Sequence, residues 1–403
     1  MIKLAPLSLC TGCGACAYPC PKQCITMRED MIGQIYPVID NNICIECHAC
    51  EKICPILNEP EGNSPVKAYA SWSQNMENRR TSASGGVAHE IYDYALDRGY
   101  YIVGASTNPD FSVSLKVTDK QEDISAFKNS KYVFSSGYNA FNEIRDHLRQ
   151  GHHVVAIGVS CQIAAMRKMY RNQPNIIFVE ILCHGMTPHS YLQQHIATIE
   201  TDMGTKAFRV NFRDPAFKTQ TFMFTLYDKD GKCFYAQRTK DGDSYQYGYH
   251  RSVSYRENCY HCHFAKEQRV GDIVLCDFYG LGKTIPCSYN HEKVSCVLIC
   301  TEVGKEFFRD VVKERNLFVE ERPVKEAQEG NPRLTCPTPK TKSRLKFEQN
   351  IRRTKGDFEV AVTPLAERYM KLQNAPRIMH YCYALLNKIF KMSFNRLYKK
   401  KGV

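Results

Sequence analysis

The chain has 403 residues, 43% of them hydrophobic and 24% charged, with 20 cysteines and a formal net charge of +12. That length accommodates a small module plus one large or two medium domains. The charge is lopsided: Cys336 to Val403 holds 16 Lys and Arg against 4 Asp and Glu, which leaves 38 of each sign before it. A neutral body excludes nucleic-acid binding driven by charge, so no nucleic-acid partner is expected. Only MIKLAPLSL precedes the first motif cysteine, which reads as no signal peptide, and no apolar run approaches a bilayer span. Many free thiols suit a reducing compartment, so a cytoplasmic location is expected.

The most informative stretch is Cys10 to Pro55. It holds Cys10, Cys13, Cys16 and Cys20-Pro21, then Cys44, Cys47, Cys50 and Cys54-Pro55. Each set is the C-x2-C-x2-C-x3-C-P run that binds a 4Fe-4S cluster, with the fourth cysteine ligating the other cluster. Three thiolates on one tight loop cap three irons of a cubane, while the fourth is thrown onto a following helical turn. The first cluster is therefore expected on Cys10, Cys13, Cys16 and Cys54, and the second on Cys44, Cys47, Cys50 and Cys20. A zinc site or disulfide knot is the competing reading, and two identical runs each closed by Cys-Pro weigh against it. The stretch resembles a bacterial-type dicluster ferredoxin domain, expected over residues 1–60. Cys24 falls outside the pattern and is expected to be a spare buried thiol.

Asn58 to Pro65 (NEPEGNSP) is rich in turn formers and reads as a linker. Lys67 to Ser71 is a strand candidate. Thr81-Ser-Ala-Ser-Gly-Gly86 precedes Val87, Ile91, Ala95 and Leu96 at helical spacing, with Ser84 as the N-cap. Gly85 and Gly86 allow close approach to first-turn N–H groups, which suits a phosphate or pyrophosphate. An ordinary helix start is the competing reading. The pattern then predicts strands from Tyr100 to Ser106 and Phe111 to Val117, and a helix from Ala140 to Leu148. His153 to Gly158 and Ile176 to Leu182 read as parallel strands joined by a helix over Cys161 to Tyr170. Cys161 and Cys183 would then sit just past the C-terminal ends of two strands, on the edge where α/β sheets bind ligands.

From Lys206 the alternation of Phe208, Val210 and Phe212, then of Phe222, Phe224 and Leu226, predicts β-rich structure, with Asp230-Gly231 as a hairpin turn. Cys259-x2-Cys262 is ambiguous among zinc, a redox dithiol and a cluster ligand pair. Together with Cys161 and Cys183 it would complete a third 4Fe-4S site; His261 and His263 keep zinc open. Cys276, Cys287, Cys296 and Cys300 lie in or near apolar runs and read as core thiols. Val294 to Cys300 is a predicted strand and Glu302 to Glu314 a predicted helix. Beyond Pro337 the chain is basic. Ile378 to Leu397 has apolar residues at roughly helical spacing, which fits a solvated helix packed on its own domain or a contact with a membrane surface or acidic partner.

Seven stretches then carry a family resemblance: TSASGGVAHEIYDYAL, FKNSKYVFSS, HVVAIGVSCQIAAMR, ILCHGMTP, ENCYHCHFA, GDIVLCDFYG and VSCVLICTEVGKE. The chain resembles the family of coenzyme F420 hydrogenase/dehydrogenase beta subunits, with an N-terminal ferredoxin fused to it. The resemblance implies FAD bound beside an iron–sulfur cluster. Ser84, Gly85 and Gly86 match the family's SGG start, and Ser130, Lys131 and Tyr132 its SKY segment; these are the candidate flavin contacts. Gly158-Val-Ser160-Cys161-Gln162 matches GxPCQ with Ser for Pro, and Cys183-His184-Gly185 matches CHG. Cys161, Cys183, Cys259 and Cys262 become the implied third cluster ligands. Asp272 and Asp277 match acidic positions near the flavin. Cys276-Asp277-Phe278-Tyr279-Gly280 stands where the family often has Gly-Asp-Phe-Trp-Gly. Lys131 and Asp277 are the candidate catalytic residues.

The expected architecture is α/β (α+β): the ferredoxin module, a mixed-sheet flavin-binding domain over 66–335 with a β-rich insertion, and a basic helical tail over 336–403. The expected function is a flavin-dependent iron–sulfur oxidoreductase. It would pass electrons among the clusters and FAD, and to or from a small-molecule two-electron acceptor such as coenzyme F420 or another unsaturated metabolite. A redox partner protein or ferredoxin is implied. The alternative is a non-catalytic electron-transfer subunit of a larger complex.

Overall fold

The computed structural model describes residues 2–374; the amphipathic stretch from Ile378 to Leu397 lies outside them. Strands β1 (Ile25–Glu29) and β2 (Ile35–Ile39) form an antiparallel pair in the N-terminal module, and the short helix α1 (Ala49–Ile53) follows. The cysteine loops hang from this small frame.

A nine-stranded sheet organises the rest. Its strands are β3 (Lys67–Ser73), β4 (Tyr101–Thr107), β5 (Val113–Thr118), β6 (Ser135–Ser136), β7 (Val154–Val159) and β8 (Ile176–Ile181), joined later by three more. A separate three-stranded sheet holds β9 (Arg209–Asn211), β10 (Phe224–Tyr227) and β11 (Cys233–Gln237). The large sheet is completed by β12 (Ile273–Asp277), β13 (Ser295–Ile299) and β14 (Leu317–Arg322), in the order β14-β3-β13-β12-β8-β7-β4-β5-β6. The centre, β12-β8-β7-β4, is parallel, and antiparallel pairs flank it on both sides. The fold is thus mixed α/β. The C-terminal ends of four central strands share one edge.

Helices α2 (Met76–Thr81), α3 (Val87–Asp97), α4 (Ile124–Phe127), α5 (Ala140–Arg149) and α6 (Ser160–Met169) belong to the first half. They are followed by α7 (His189–Met203), α8 (Ser244–His250), α9 (Glu302–Glu314), α10 (Val324–Gly330), α11 (Lys342–Arg353) and α12 (Phe358–Gln373). Strand alternation splits β7 between two cores. Val155 and Ile157 pack with α3 and α9, while Val154 and Ala156 pack with α5 and α6. Both faces of the sheet are buried, which is why its central strands read as continuous apolar runs.

A third core lies under the small sheet. There Phe347, Ile351, Phe358 and Ala361 pack with Tyr191, Phe224 and Tyr245. Helices α11 and α12, inside the stretch expected as a tail, therefore share a core with the β-rich insertion. Their charged residues supply a solvated outer face.

One local expectation is corrected. Ser84 is not the N-cap of α3; that position belongs to Gly86, at φ 87°, which provides no side-chain cap. Cys287 lies in a loop, 3.1 Å from His291 Nε2, and packs half-buried against the core that holds Val294, Cys296 and Leu298, near the core as expected. Among the described residues no helix is long and apolar enough to cross a membrane.

Candidate functional site

The thiols of the N-terminal module separate into two groups. Desolvation raises the Cys13 thiol to about 11, and the charges of Cys10 and Cys54 add to the push. Cys16 is raised for the same reason, with Cys13, Cys10 and Cys54 as its neighbours. Cys54 thus joins the three cysteines of the first run although it closes the second. Cys20, Cys44, Cys47 and Cys50 line one small cavity, and Cys24 lines it with them. The Cys24 thiol is buried, 3.4 Å from Cys20 Sγ. Thiolate ligation has to overcome these raised values, so metal loading would release protons.

A second thiol group forms at the sheet edge. Cys161 is the second residue of α6, just after β7, and Cys183 follows the end of β8. Cys259 sits in a short 3-10 helix, Glu257–His261, and Cys262 directly follows it, ahead of β12. All four line a cavity of about 30 Å³. Desolvation drives the Cys161 thiol far up, followed by the charges of Cys183, Cys262 and Cys259 and then of Cys13. That last contribution puts the second thiol group beside the first cysteine run.

Arg256, Asn258, Arg269 and Arg333 also line this cavity, and each keeps a buried polar atom without a hydrogen-bond partner: Arg256 Nε, Asn258 Oδ1, Arg269 Nε and an Arg333 guanidinium nitrogen. Buried donors without acceptors are costly. Three guanidinium donors around four thiols fit an anionic group rich in sulfur acceptors. His261, which kept zinc open, turns instead toward Glu257 at 3.4 Å and does not line the cavity. Among the described residues no three His, Cys, Asp or Glu side chains converge on a single-ion site. A cubane spreads its ligand sulfurs over four irons and does not require that convergence.

The thiol loops are held by one buried ion pair. Glu180 in β8 pairs with Arg269, accepts from Ser160 Oγ at 2.6 Å, and accepts the backbone N–H of Gly271 at 3.1 Å. The Ser at position 160 is therefore fully used: its hydroxyl ties the start of α6 to β8.

A larger cavity of about 440 Å³ opens beside the small one, along the same sheet edge. Ser84, Gly86, Ser130, Lys131, Tyr132 and Asp277 line it. Gly85 does not. Its N–H donates to Ser295 Oγ at 2.9 Å, and a Cβ there would lie 2.6 Å from the Ser71 carbonyl. Gly85 is needed for close backbone packing, not for contact with a ligand in this cavity. Asp272 also lies away from it: its carboxylate accepts from Arg167, Thr301 and the Phe178 N–H. Its role is to join α6, β8 and α9.

Lys131 is half-buried, and its Nζ donates to the Lys128 carbonyl at 2.9 Å. Desolvation brings its pKa down to about 7. Asp277 lies 3.5 Å from the Arg213 guanidinium and accepts from Tyr279 Oη at 3.1 Å. The Tyr132 ring stacks on Tyr249 at 4.1 Å. Cys276 stands in the wall, at the position where the family pattern often has Gly.

Four wall residues were not legible in the sequence. His89, Asn129, His250 and Asn331 each leave one buried ring nitrogen or amide oxygen unpartnered. They come from α3, two loops and the end of α8; His89 and Asn129 fall inside stretches that carry the resemblance, though neither stands out there, and His250 and Asn331 fall outside them. Their polar atoms suit a ligand bearing both donors and acceptors, as a flavin does. Cys183, His184, Gly185 and Met186 line both cavities, so one short segment forms the wall between them.

Two stretches of the chain match known families. Residues 151–325 match the family described as the C terminus of the coenzyme F420 hydrogenase/dehydrogenase beta subunit, and residues 9–57 match the 4Fe-4S dicluster domain. The F subunit of F(420)H(2) dehydrogenase from Methanosarcina mazei is 22% identical over 336 residues, covering 78% of this chain and 86% of that protein. A ferredoxin-like protein in the nif region of Rhizobium leguminosarum bv. trifolii is 39% identical over 57 residues, 13% of this chain and 81% of that one. A chain in the structure of the F420-reducing [NiFe] hydrogenase complex from Methanosarcina barkeri is 19% identical, with a TM-score of 0.41, covering 73% of this chain and 95% of its own. What the comparisons assign is therefore regional: residues 151–325 carry the C-terminal domain of the coenzyme F420 hydrogenase/dehydrogenase beta subunit family, and residues 9–57 an iron–sulfur domain of the 4Fe-4S dicluster type.

Proposed function

We propose that this chain is an iron–sulfur flavoprotein that connects one-electron carriers to a two-electron organic acceptor. Iron–sulfur clusters carry electrons singly, and FAD when bound would exchange them in pairs with an organic substrate. Cys10, Cys13, Cys16 and Cys54 would hold the first cluster, Cys20, Cys44, Cys47 and Cys50 the second, and Cys161, Cys183, Cys259 and Cys262 the third. Ser84, Gly86, Ser130, Lys131 and Tyr132 would contact FAD in the larger cavity.

One observation carries this reading. Cys183 lines both cavities, and Cys161 beside it feels the charge of Cys13. The thiol sets and the large cavity therefore form one continuous row. Lys131, with a pKa near neutrality, is able to hold or release a proton at Nζ on the wall of that cavity. The Asp277 carboxylate steadies Arg213 there.

The two-electron acceptor is proposed to be coenzyme F420 or a related unsaturated metabolite. The support is the family description and the name of the Methanosarcina mazei relative, part of an F(420)H(2) dehydrogenase. That relative is by name one subunit, which favours a second reading, in which the chain wires a partner enzyme within a complex. Ligand thiolates in such number also suit a reducing, cytoplasmic setting.

The test is cofactor content after anaerobic purification. About twelve irons per chain and one FAD are expected. About eight irons and no flavin, even after reconstitution, would overturn the third cluster and the flavin together. Turnover of F420 by the isolated chain separates the catalytic reading from the wiring one.

A further inference from the structure

We infer that Arg256 is a positioning residue that spans two cluster sites, clamping the Cys10–Cys16 loop to the wall of the Cys161 cavity and placing one positive charge between them. This rests on the reading that Cys161, Cys183, Cys259 and Cys262 hold a cluster.

Arg256 is 2% exposed. One guanidinium nitrogen donates to the carbonyl of Thr11, the residue after Cys10, and the other donates to the Ile35 carbonyl at 2.8 Å. The guanidinium lies so flat against this loop that a Cβ on Gly12 would come within 2.7 Å of it. On its other side, Arg256 lines the small cavity with the four thiols, and its Nε has no partner. Its backbone N–H donates to the Met186 carbonyl at 2.8 Å, and Met186 also lines that cavity. The Phe134 ring closes over the guanidinium at 4.5 Å.

The hydrogen bonds of this side chain go to backbone carbonyls, not to a carboxylate, so its charge is not cancelled by them. That charge faces both sites: the guanidinium holds the Thr11 carbonyl beside Cys10, and the same side chain lines the cavity with Cys259. A buried cation favours the more negative, reduced form of each neighbouring cluster, and net charge, hydrogen bonding and burial are the protein's means of setting cluster potential. With both sites loaded, passage between them would be the loss of one electron from one cubane and its gain by the other, with no bond made or broken. Arg256 would hold the gap constant and keep the two potentials raised together. The second site, on Cys20, Cys44, Cys47 and Cys50, lies outside its contacts.

The test is a redox titration of the full-length, anaerobically reconstituted protein, followed by electron paramagnetic resonance with iron counted in every sample. In Arg256→Met, two of three centres are expected to become harder to reduce by about tenfold in the reduction equilibrium, ~59 mV for one electron. The centre on Cys20, Cys44, Cys47 and Cys50 should move less than about twofold in the same equilibrium, ~18 mV. Arg256→Lys keeps the charge and should recover most of the shift. No shift, an equal shift in all three centres, or the same shift in Arg256→Lys as in Arg256→Met overturns the proposal. Should Arg256→Met lose iron, Arg256→Gln is titrated in its place, because it keeps N–H donors for the two carbonyls without the charge. A wild-type protein with about eight irons overturns instead the third-cluster reading on which Arg256 depends.

Discussion

The Ser160 hydroxyl donates to the Glu180 carboxylate over 2.6 Å, joining the first residue of α6 to a wholly buried position in β8. Cys161 follows Ser160 directly, and Arg269, the ion-pair partner of Glu180, lines the cavity of the four thiols. The placement of Cys161 is therefore coupled to one buried ion pair. Glu180→Gln is expected to leave the Arg269 cation uncompensated at a cost of about 3–5 kcal/mol. The check is iron content with thermal unfolding: about four irons lost and a lower midpoint, against no change in either if the pair is idle.

The crossed ligand assignment has its own prediction. Cys54→Ser should remove the cluster shared with Cys10, Cys13 and Cys16, leaving the one in the Cys20 cavity. Cys24→Ala should leave iron content unchanged, because Cys24 lines that cavity as a fifth thiol beside four assigned ligands. Iron and sulfide analysis with resonance Raman spectra reads both. Loss of about four irons in Cys24→Ala would reassign the second site.

Lys131 predicts a pH-dependent stability. Its folded pKa of about 7 lies below the roughly 10.4 of an unfolded lysine, so the unfolded chain binds more protons between those values. Stability should rise with pH across that window, and the penalty should be complete below its lower end. Lys131→Met is then expected to stabilise the protein by about 3 kcal/mol near pH 6, after discounting for solvent screening, with the gain vanishing toward pH 10. Urea unfolding at several pH values measures it. A gain independent of pH would contradict the lowered pKa.

His195 predicts the opposite slope. Burial pulls its pKa down, but Asp243 at 3.1 Å and Glu359 at 2.7 Å overcome this and hold it at about 10. Ser244 Oγ lies 3.2 Å from its Nδ1, and Tyr235 Oη donates to Asp243 at 3.1 Å. The stabilisation should be complete below the unfolded value near 6.5 and lost as pH rises through about 10. His195→Gln should cost about 3 kcal/mol near pH 6, because it leaves the buried Asp243 and the half-buried Glu359 without their shared cation, and progressively less toward pH 10. Unfolding midpoints of both proteins across that range decide it.

Much of the fold was legible because local pattern and burial agree. The apolar runs at 153–158 and 176–182 anticipated parallel strands, and β7 and β8 pair in parallel. The helix over Glu302 to Glu314 coincides with α9. The Asp230-Gly231 signal falls at the turn between β10 and β11. The Ser-Gly-Gly start misled in detail, since a sequence does not show that Ser295 already occupies the Gly85 N–H. Nor does periodicity reveal that α11 and α12 bury one face under the small sheet, because a basic outer face hides an apolar inner one.

By itself, the sequence determined the two ferredoxin-type runs, since three ligands on one loop are a matter of local spacing, and it marked Cys161 and Cys183 as strand-end residues. Only the tertiary structure decided which distant groups share a site. Arg256 against Thr11, Cys13 beside Cys161, and His89 and Asn331 around one cavity all follow from strand order and loop packing. Coordination spacing is a property of a few consecutive residues. A cavity wall is assembled from points far apart in the chain, and the burial that brings them together leaves no periodic trace in any one of them.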